Sequence, residues 1–354
     1  MLQFHSLKLA ERAAIAADAV ALTFEVPPEL KEAYAFAPGQ HLAVRASVGG
    51  KSLRRTYSIV TPPGGELRIG VRVQGAMSRY LAEQLAVGER LDVMTPNGRF
   101  QPSLDPAAAR SYVAFAAGSG ITPILSIAGA VLATEPGSRF RLFYCNRDTE
   151  HAMFLPEVLA LKDRYLSRFV VHFLMSREPQ DVELLNGRLD GTKLGMLAGR
   201  MFDPDAVDEY FLCGPGTMVD DLAATLGRLA VRGRVHVERF AAAPRASAAA
   251  PAAAAPAAAV DGVEVVVQMD GRRRTFAMAK GNASILESAE AAGLELPYSC
   301  RDGICATCRV KVVDGGVTMA RNQGLEPWEV QAGFVLCCQA RPTTGRVVLS
   351  YDEK

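Results

Sequence analysis

Four cysteines near the C-terminus constrain this 354-residue chain more tightly than any other feature. Cys300, Cys305 and Cys308 stand at C-x4-C-x2-C spacing, and Cys338 follows after 29 intervening residues. That spacing suits four thiolates holding two irons, a [2Fe–2S] cluster. Gly303, Ala306 and Thr307 are small enough to let the backbone wrap a cluster and aim N–H groups at its sulfurs. Zinc and structural disulfides are the competing readings. Zinc modules usually repeat a C-x2-C knuckle, and here there is one such pair. Disulfides suit secreted chains, whereas this one has seven cysteines and no secretory signal.

A [2Fe–2S] cluster moves one electron at a time, so the rest of the chain must contain or dock to a source of single electrons. The length allows two or three domains. A formal charge of +1 argues against nucleic acid or an anionic membrane as partner. No stretch reads as a spanning helix, and a cytoplasmic, reducing compartment is expected. Between 241 and 260 the sequence is almost all alanine and proline. Pro244, Pro251 and Pro256 stop a helix from propagating, and nothing there has apolar bulk to bury, so this segment reads as a linker.

Residues 1–105 show short alternating runs (Ala19–Val26, His41–Arg45, Leu67–Val73) punctuated by Pro27-Pro28, Pro38-Gly39, Gly49-Gly50 and Pro62-Pro63-Gly64-Gly65. This is the pattern of a small antiparallel β-barrel. Within it, Arg55-Thr56-Tyr57-Ser58 places Arg55 and Tyr57 on one side of a strand and Ser58 on the other. Gly75-Ala76-Met77-Ser78 opens a predicted helix, with Ser78 read as its N-cap and free N–H groups facing an anion. Singly, each is a weak signal: a lone Tyr57 is more often a half-buried barrel tyrosine.

From 106 to 240 the pattern changes to strand–helix alternation, an α/β domain with a parallel sheet. The apolar run Ser111–Ala117 ends at Gly118-Ser119-Gly120-Ile121-Thr122-Pro123, and strand, glycine turn and helix N-terminus together make a pyrophosphate site. Pro123 replaces the third glycine of the dinucleotide fingerprint, which disfavours a standard Rossmann dehydrogenase. Other buried strands end at Cys145-Asn146-Arg147, Met175-Ser176-Arg177-Glu178 and Cys213-Gly214-Pro215, and such strand ends line one crevice. Alone, Cys213 reads equally as a buried small hydrophobe.

In this order the motifs resemble the ferredoxin–NADP reductase superfamily. The resemblance implies FAD held by Arg55 at its pyrophosphate, with Tyr57 stacked on the ring and Ser58 near its reactive nitrogen. Gly75 and Ser78 then lie at the diphosphate, and the backbone of Val71, Arg72 and Val73 along the ring edge. Gly118, Gly120, Thr122, Cys213, Gly214 and Pro215 flank the nicotinamide, and Glu238 and Phe240 belong to a terminal strand close to the flavin. Ser176 and Arg177, helped by Arg147, match a 2′-phosphate site, so NADPH is expected over NADH, although Glu178 stands beside them. Residues 261–354 resemble the β-grasp (α+β) fold of plant-type ferredoxins, in which the position before the fourth ligand is small. That leaves Cys338 as ligand and Cys337 as a space-filler.

Further segments, among them Phe4-His5-Ser6-Leu7, Pro38-Gly39-Gln40-His41-Leu42 and Asn186-Gly187-Arg188-Leu189-Asp190-Gly191, resemble the reductase components of phenylacetyl-CoA epoxidases over the whole chain. The implied partner is a multisubunit di-iron oxygenase. Reductases of steroid hydroxylases, Rieske oxygenases and hybrid-cluster proteins share the same modules and stay open as alternatives. So does a non-catalytic redox sensor.

Overall fold

The computed structural model describes residues 3–240, 262–278 and 284–353, which form two compact units on either side of the 241–260 segment. The expected linker lies outside the described residues.

The first unit begins with β1 (Phe4–Ala16), β2 (Ala19–Glu25), β3 (His41–Val48), β4 (Lys51–Ser58), β5 (Leu67–Arg72) and β6 (Arg90–Met94). They form one antiparallel sheet in the order β4-β3-β6-β1-β2-β5. Its two ends meet where Ile59 bridges Ile69, which closes the sheet into a barrel. Period-two alternation sends Leu7, Leu9, Leu22, Val44, Ile69 and Val71 inward, all fully buried. The β3–β4 hairpin turns on Gly49 and Gly50, whose φ values of 58° and 75° are those of a two-residue type I′ turn. A short helix, α1 (Ala76–Arg79), follows β5 and continues as one π turn to Gln84.

The same unit continues through β7 (Ser111–Ala117), α2 (Ile121–Thr134), β8 (Arg139–Asn146), α3 (Leu155–Arg164) and β9 (Phe169–Met175). It ends with α4 (Gly191–Leu197), β10 (Glu209–Pro215), α5 (Gly216–Arg228) and β11 (Arg234–Phe240). The strands are all parallel, in the order β11-β10-β7-β8-β9. Burial on both faces explains the apolar runs: in β7 the residues Tyr112 to Ala116 are all buried. The strand order reverses between β7 and β10, so a crevice opens at their carboxyl ends, where ligands bind in open α/β sheets.

The second unit contains β12 (Val263–Met269), β13 (Arg272–Met278), α6 (Ile285–Ala291), β14 (Arg309–Asp314), β15 (Val317–Met319), α7 (Pro327–Gln331), β16 (Phe334–Leu336), β17 (Ala340–Pro342) and β18 (Arg346–Ser350). The main sheet runs β13-β12-β18-β14-β16, and β15 pairs with β17. β12 and β18 are parallel neighbours, as in a β-grasp. Asp270-Gly271 turns the first hairpin with φ of 55° and 69°. Ser284 caps α6 by accepting from the Glu287 N–H at 3.2 Å, and Ile285, Leu286 and Ala289 anchor the helix on the sheet.

Candidate functional site

The cysteine loop folds around its own backbone. Arg301, Gly303 and Ala306 all have positive φ (61°, 73° and 52°), which coils the segment tightly enough for its amides to face inward. The N–H groups of Asp302 and Cys305 both point at Cys300 Sγ, each at 3.4 Å. Cys308 Sγ lies 3.3 Å from Cys338 Sγ, and Cys305 Sγ lies 3.2 Å from the Thr307 hydroxyl. Cys337 turns the other way, fully buried beside Tyr351, and burial pushes its thiol up to about 12. Among the described residues no three His, Cys, Asp or Glu side chains converge on a single ion. The thiols instead pair as Cys300 with Cys305 and Cys308 with Cys338. Four thiols grouped in two pairs suit the two irons of a [2Fe–2S] cluster.

In the first unit, sheet register assembles a second site. His41 sits opposite Ser58 across the β3–β4 hairpin, and Cys213 sits opposite Glu238 between β10 and β11. The Glu238 carboxyl joins the two pairs: Ser58 Oγ donates to it at 3.4 Å, Cys213 Sγ lies 3.8 Å from the same oxygen, and His41 Nδ1 lies 4.0 Å from the other. Burial raises the Glu238 carboxyl to about 7, against the opposing hydrogen bonds from Cys213 and Ser58. Burial also drives the Cys213 thiol well up and lowers His41 to about 4, leaving both neutral near pH 7. His41 Nε2 is buried without a hydrogen-bond partner. The barrel and the parallel sheet therefore meet at a carboxyl poised to hold or release a proton. His41 was not among the sequence-derived site residues.

Close backbone approach accounts for the glycines at the switch point. A Cβ on Gly120 would come within 2.2 Å of the Cys213 carbonyl oxygen, and one on Gly118 (φ 54°) within 2.5 Å of Arg72 Nη1. Thr122 is engaged locally, its hydroxyl donating to the Ser119 carbonyl at 2.9 Å. Gly214 and Pro215 end β10 across from Arg239 and Phe240.

Several flavin-side expectations need adjusting. Gly75, not Ser78, is the N-cap of α1; Ser78 is the third helical residue, and its hydroxyl takes up the N–H groups of Gln74 and Gly75, both at 2.9 Å. Those two N–H groups are therefore not free for an anion. Likewise the Val73 N–H is bound by the Asp18 carbonyl at 2.9 Å. The Arg72 side chain leaves the barrel altogether, contacting the His151 carbonyl at 2.5 Å and overlying Gly118. Arg55 is exposed and Tyr57 half-buried, on the strand face opposite buried Ser58.

At the outer end of the crevice, the Arg177 N–H donates to the Arg147 carbonyl at 2.7 Å, and the Ser176 N–H to that of Asn146 at 3.1 Å. Ser176, Arg177 and Arg147 thus share one rim. Arg177 is exposed, and its guanidinium has no partner among the described residues. Arg147 pairs with Asp18 at 3.1 Å. Glu178 is occupied, accepting from the Thr149 backbone and hydroxyl, both at 2.7 Å.

Comparison with known proteins adds the family. Residues 6–101 match the oxidoreductase FAD-binding domain, 115–224 the oxidoreductase NAD-binding domain, and 267–343 the 2Fe-2S iron-sulfur cluster binding domain. The chain is 42% identical over 360 residues to a subunit of the 1,2-phenylacetyl-CoA epoxidase of Escherichia coli K12, covering 100% of this chain and 99% of that one. It is 33% identical to the ferredoxin reductase component of 3-ketosteroid-9-alpha-monooxygenase from Rhodococcus rhodochrous, covering 95% of this chain and 93% of that one. Phthalate dioxygenase reductase, described as a modular structure for electron transfer from pyridine nucleotides to [2Fe-2S], superposes with a TM-score of 0.58 at 25% identity, covering 98% of each chain. The chain is an NAD(P)H-dependent oxidoreductase with FAD and a [2Fe–2S] cluster that delivers electrons to an oxygenase. It belongs to the ferredoxin–NADP reductase superfamily, in the group of oxygenase reductases that carry a C-terminal plant-type ferredoxin domain and include the reductase subunit of phenylacetyl-CoA epoxidase.

Proposed function

We propose that this reductase takes electrons from NADPH and supplies them to a multisubunit di-iron oxygenase acting on phenylacetyl-CoA, in the cytoplasm. The observation that carries the choice of partner is the 42% identity, spread end to end over both chains, to the phenylacetyl-CoA epoxidase subunit. The steroid-oxygenase reductase, at 33%, is the second reading. NADPH is favoured because Arg147 and Arg177 share the crevice rim while Glu178, the group that would attract a free ribose, is bound to Thr149.

When bound, FAD converts a two-electron donor into one-electron steps, and the cluster is the exit. In this reading Arg55 holds the flavin pyrophosphate and Tyr57 covers the ring. Gly75 and Ser78, at the start of α1, would lie at the diphosphate, and the backbone of Val71, Arg72 and Val73 would line the ring edge. Ser58 and Cys213 face the reacting atoms, and Glu238 stores a proton between them. Gly118, Gly120, Thr122, Gly214 and Pro215 make room for the nicotinamide half, and Phe240 closes the end of its strand. Cys300, Cys305, Cys308 and Cys338 hold the cluster, residues 1–105, 106–240 and 261–354 are the three modules, and 241–260 joins them.

The test is reconstitution. The full chain is mixed with a purified phenylacetyl-CoA oxygenase, and product is measured with NADPH and with NADH. Turnover with phenylacetyl-CoA, faster with NADPH, is expected. Transfer only to a steroid oxygenase would select the second reading, and a single stoichiometric reduction with no turnover would select a sensor.

A further inference from the structure

Two arginines from different elements share one carboxylate at the rim of the nucleotide crevice. Asp18 lies in the turn between β1 and β2, Arg72 ends β5, and Arg147 follows β8. Asp18 Oδ1 is 3.3 Å from Arg72 Nε, and Asp18 Oδ2 is 3.1 Å from Arg147 Nη2. Arg72 overlies Gly118 at the start of the glycine turn, and the Arg147 carbonyl accepts from the Arg177 N–H.

The arrangement is under-satisfied. Asp18 Oδ1 and Arg72 Nε are both buried, yet neither completes a hydrogen bond. Both polar atoms of the Asn146 side chain, next to Arg147 in sequence, are also buried without one. A single carboxylate between two guanidiniums neutralises half their charge. A phosphate offers more acceptor oxygens and a second negative charge, and it suits the forked geometry better.

The turn itself does not depend on this side chain. The Ala17 N–H donates to the Glu150 carbonyl and the Val73 N–H to the Asp18 carbonyl, both at 2.9 Å. The carboxylate can therefore change partner while the backbone stays in place.

We propose that Asp18 is an internal stand-in for nucleotide phosphate: it holds Arg72 and Arg147 in the free protein, releases Arg147 to the incoming nucleotide, and thereby sets affinity from the barrel side. This rests on the reading of Arg147 and Arg177 as the phosphate site, and it adds a competitor to that site. A competing carboxylate keeps product nucleotide from being held too tightly, at the expense of affinity.

The experiment uses the flavin-loaded full chain and the probe 2′,5′-ADP, with binding followed by calorimetry. Asp18→Asn and Asp18→Ala are expected to bind it roughly three- to tenfold more tightly than the parent at low ionic strength. The gain should shrink at about 0.5 M salt, where exposed charges are screened. It should disappear in an Arg147→Ala background. Equal or weaker binding by both Asp18 variants, with Arg177→Ala still weakening the parent, overturns the stand-in alone. A gain that survives Arg147→Ala in full overturns it too. If Arg147→Ala and Arg177→Ala leave 2′,5′-ADP binding unchanged, the phosphate-site reading falls and takes this inference with it.

Discussion

Half-buried Glu238 and buried His41 lie 4.0 Å apart, and their protonation works in opposite directions. Glu238 is raised from 4.5 to about 7. It therefore adds stability that is full below about 4.5 and is lost as pH rises through about 7. His41 is lowered from 6.5 to about 4, so it adds stability that is full above about 6.5 and is lost as pH falls through about 4. The windows overlap, and in the parent protein the two slopes oppose each other. Glu238→Gln should leave the histidine slope exposed, with stability falling more steeply on acidification from pH 6.5 to 4. His41→Asn should leave the glutamate slope, with stability falling as pH rises from 4.5 to 7. Each effect is at most about 3 kcal/mol, read from unfolding midpoints against pH. Unchanged slopes in both variants would show that neither group titrates as its burial demands.

At the same scale, Cys338→Ser is expected to abolish the visible absorption of the cluster and its paramagnetic signal on reduction, with FAD retained. Cys337→Ser should keep both cofactors, because that thiol faces the core beside Tyr351. The opposite pattern would move the fourth ligand by one residue. Arg177→Ala should raise KM for NADPH far more than for NADH, by about 1.5–3 kcal/mol if the contact is desolvated. Equal effects on the two nucleotides would refute that role. The cysteine spacing was legible because ligands within one loop are fixed by local backbone. The Glu238–Cys213 contact was not, because its register is set across the whole α5 crossover. His41 left a fainter trace: counting seven residues back from Val48 and on from Lys51 at the Gly49-Gly50 turn reaches His41 and Ser58.

Among elements, the turn between β7 and α2 is the most exacting. Gly118 and Gly120 are two residues apart but fail differently. An Ala at 118 pays for a left-handed φ, about 1–2 kcal/mol, and meets only the movable end of Arg72. At 120 the new methyl meets the Cys213 carbonyl at 2.2 Å, a backbone atom of a central strand. Gly120→Ala should therefore lower the unfolding midpoint more than Gly118→Ala and weaken nucleotide binding in whatever protein survives. A larger loss at 118 would contradict this geometry. The sequence showed that a phosphate-type turn exists here, since strand, glycines and helix are consecutive. It misplaced the start of α1, because Ser78 satisfies N–H groups behind it from the third helical position, a capping role that composition alone does not distinguish from an N-cap.

For the molecule as a whole, residues 1–240 expressed alone should bind FAD and reduce ferricyanide with NADPH, yet fail to support an oxygenase. Normal substrate oxidation by that fragment would take the cluster off the electron path. No helix among the described residues is long and apolar enough to cross a membrane. The order of barrel, parallel sheet and ferredoxin fold was readable from the chain, because hydrophobic period, turn residues and cysteine spacing are local properties that each unit carries in its own segment. What only tertiary structure decided is who meets whom across segments. Glu238 reaches Ser58 from 180 residues away, and Asp18 bridges Arg72 and Arg147. Such contacts depend on strand register and on how barrel and sheet pack, and nothing in a local stretch of sequence records either.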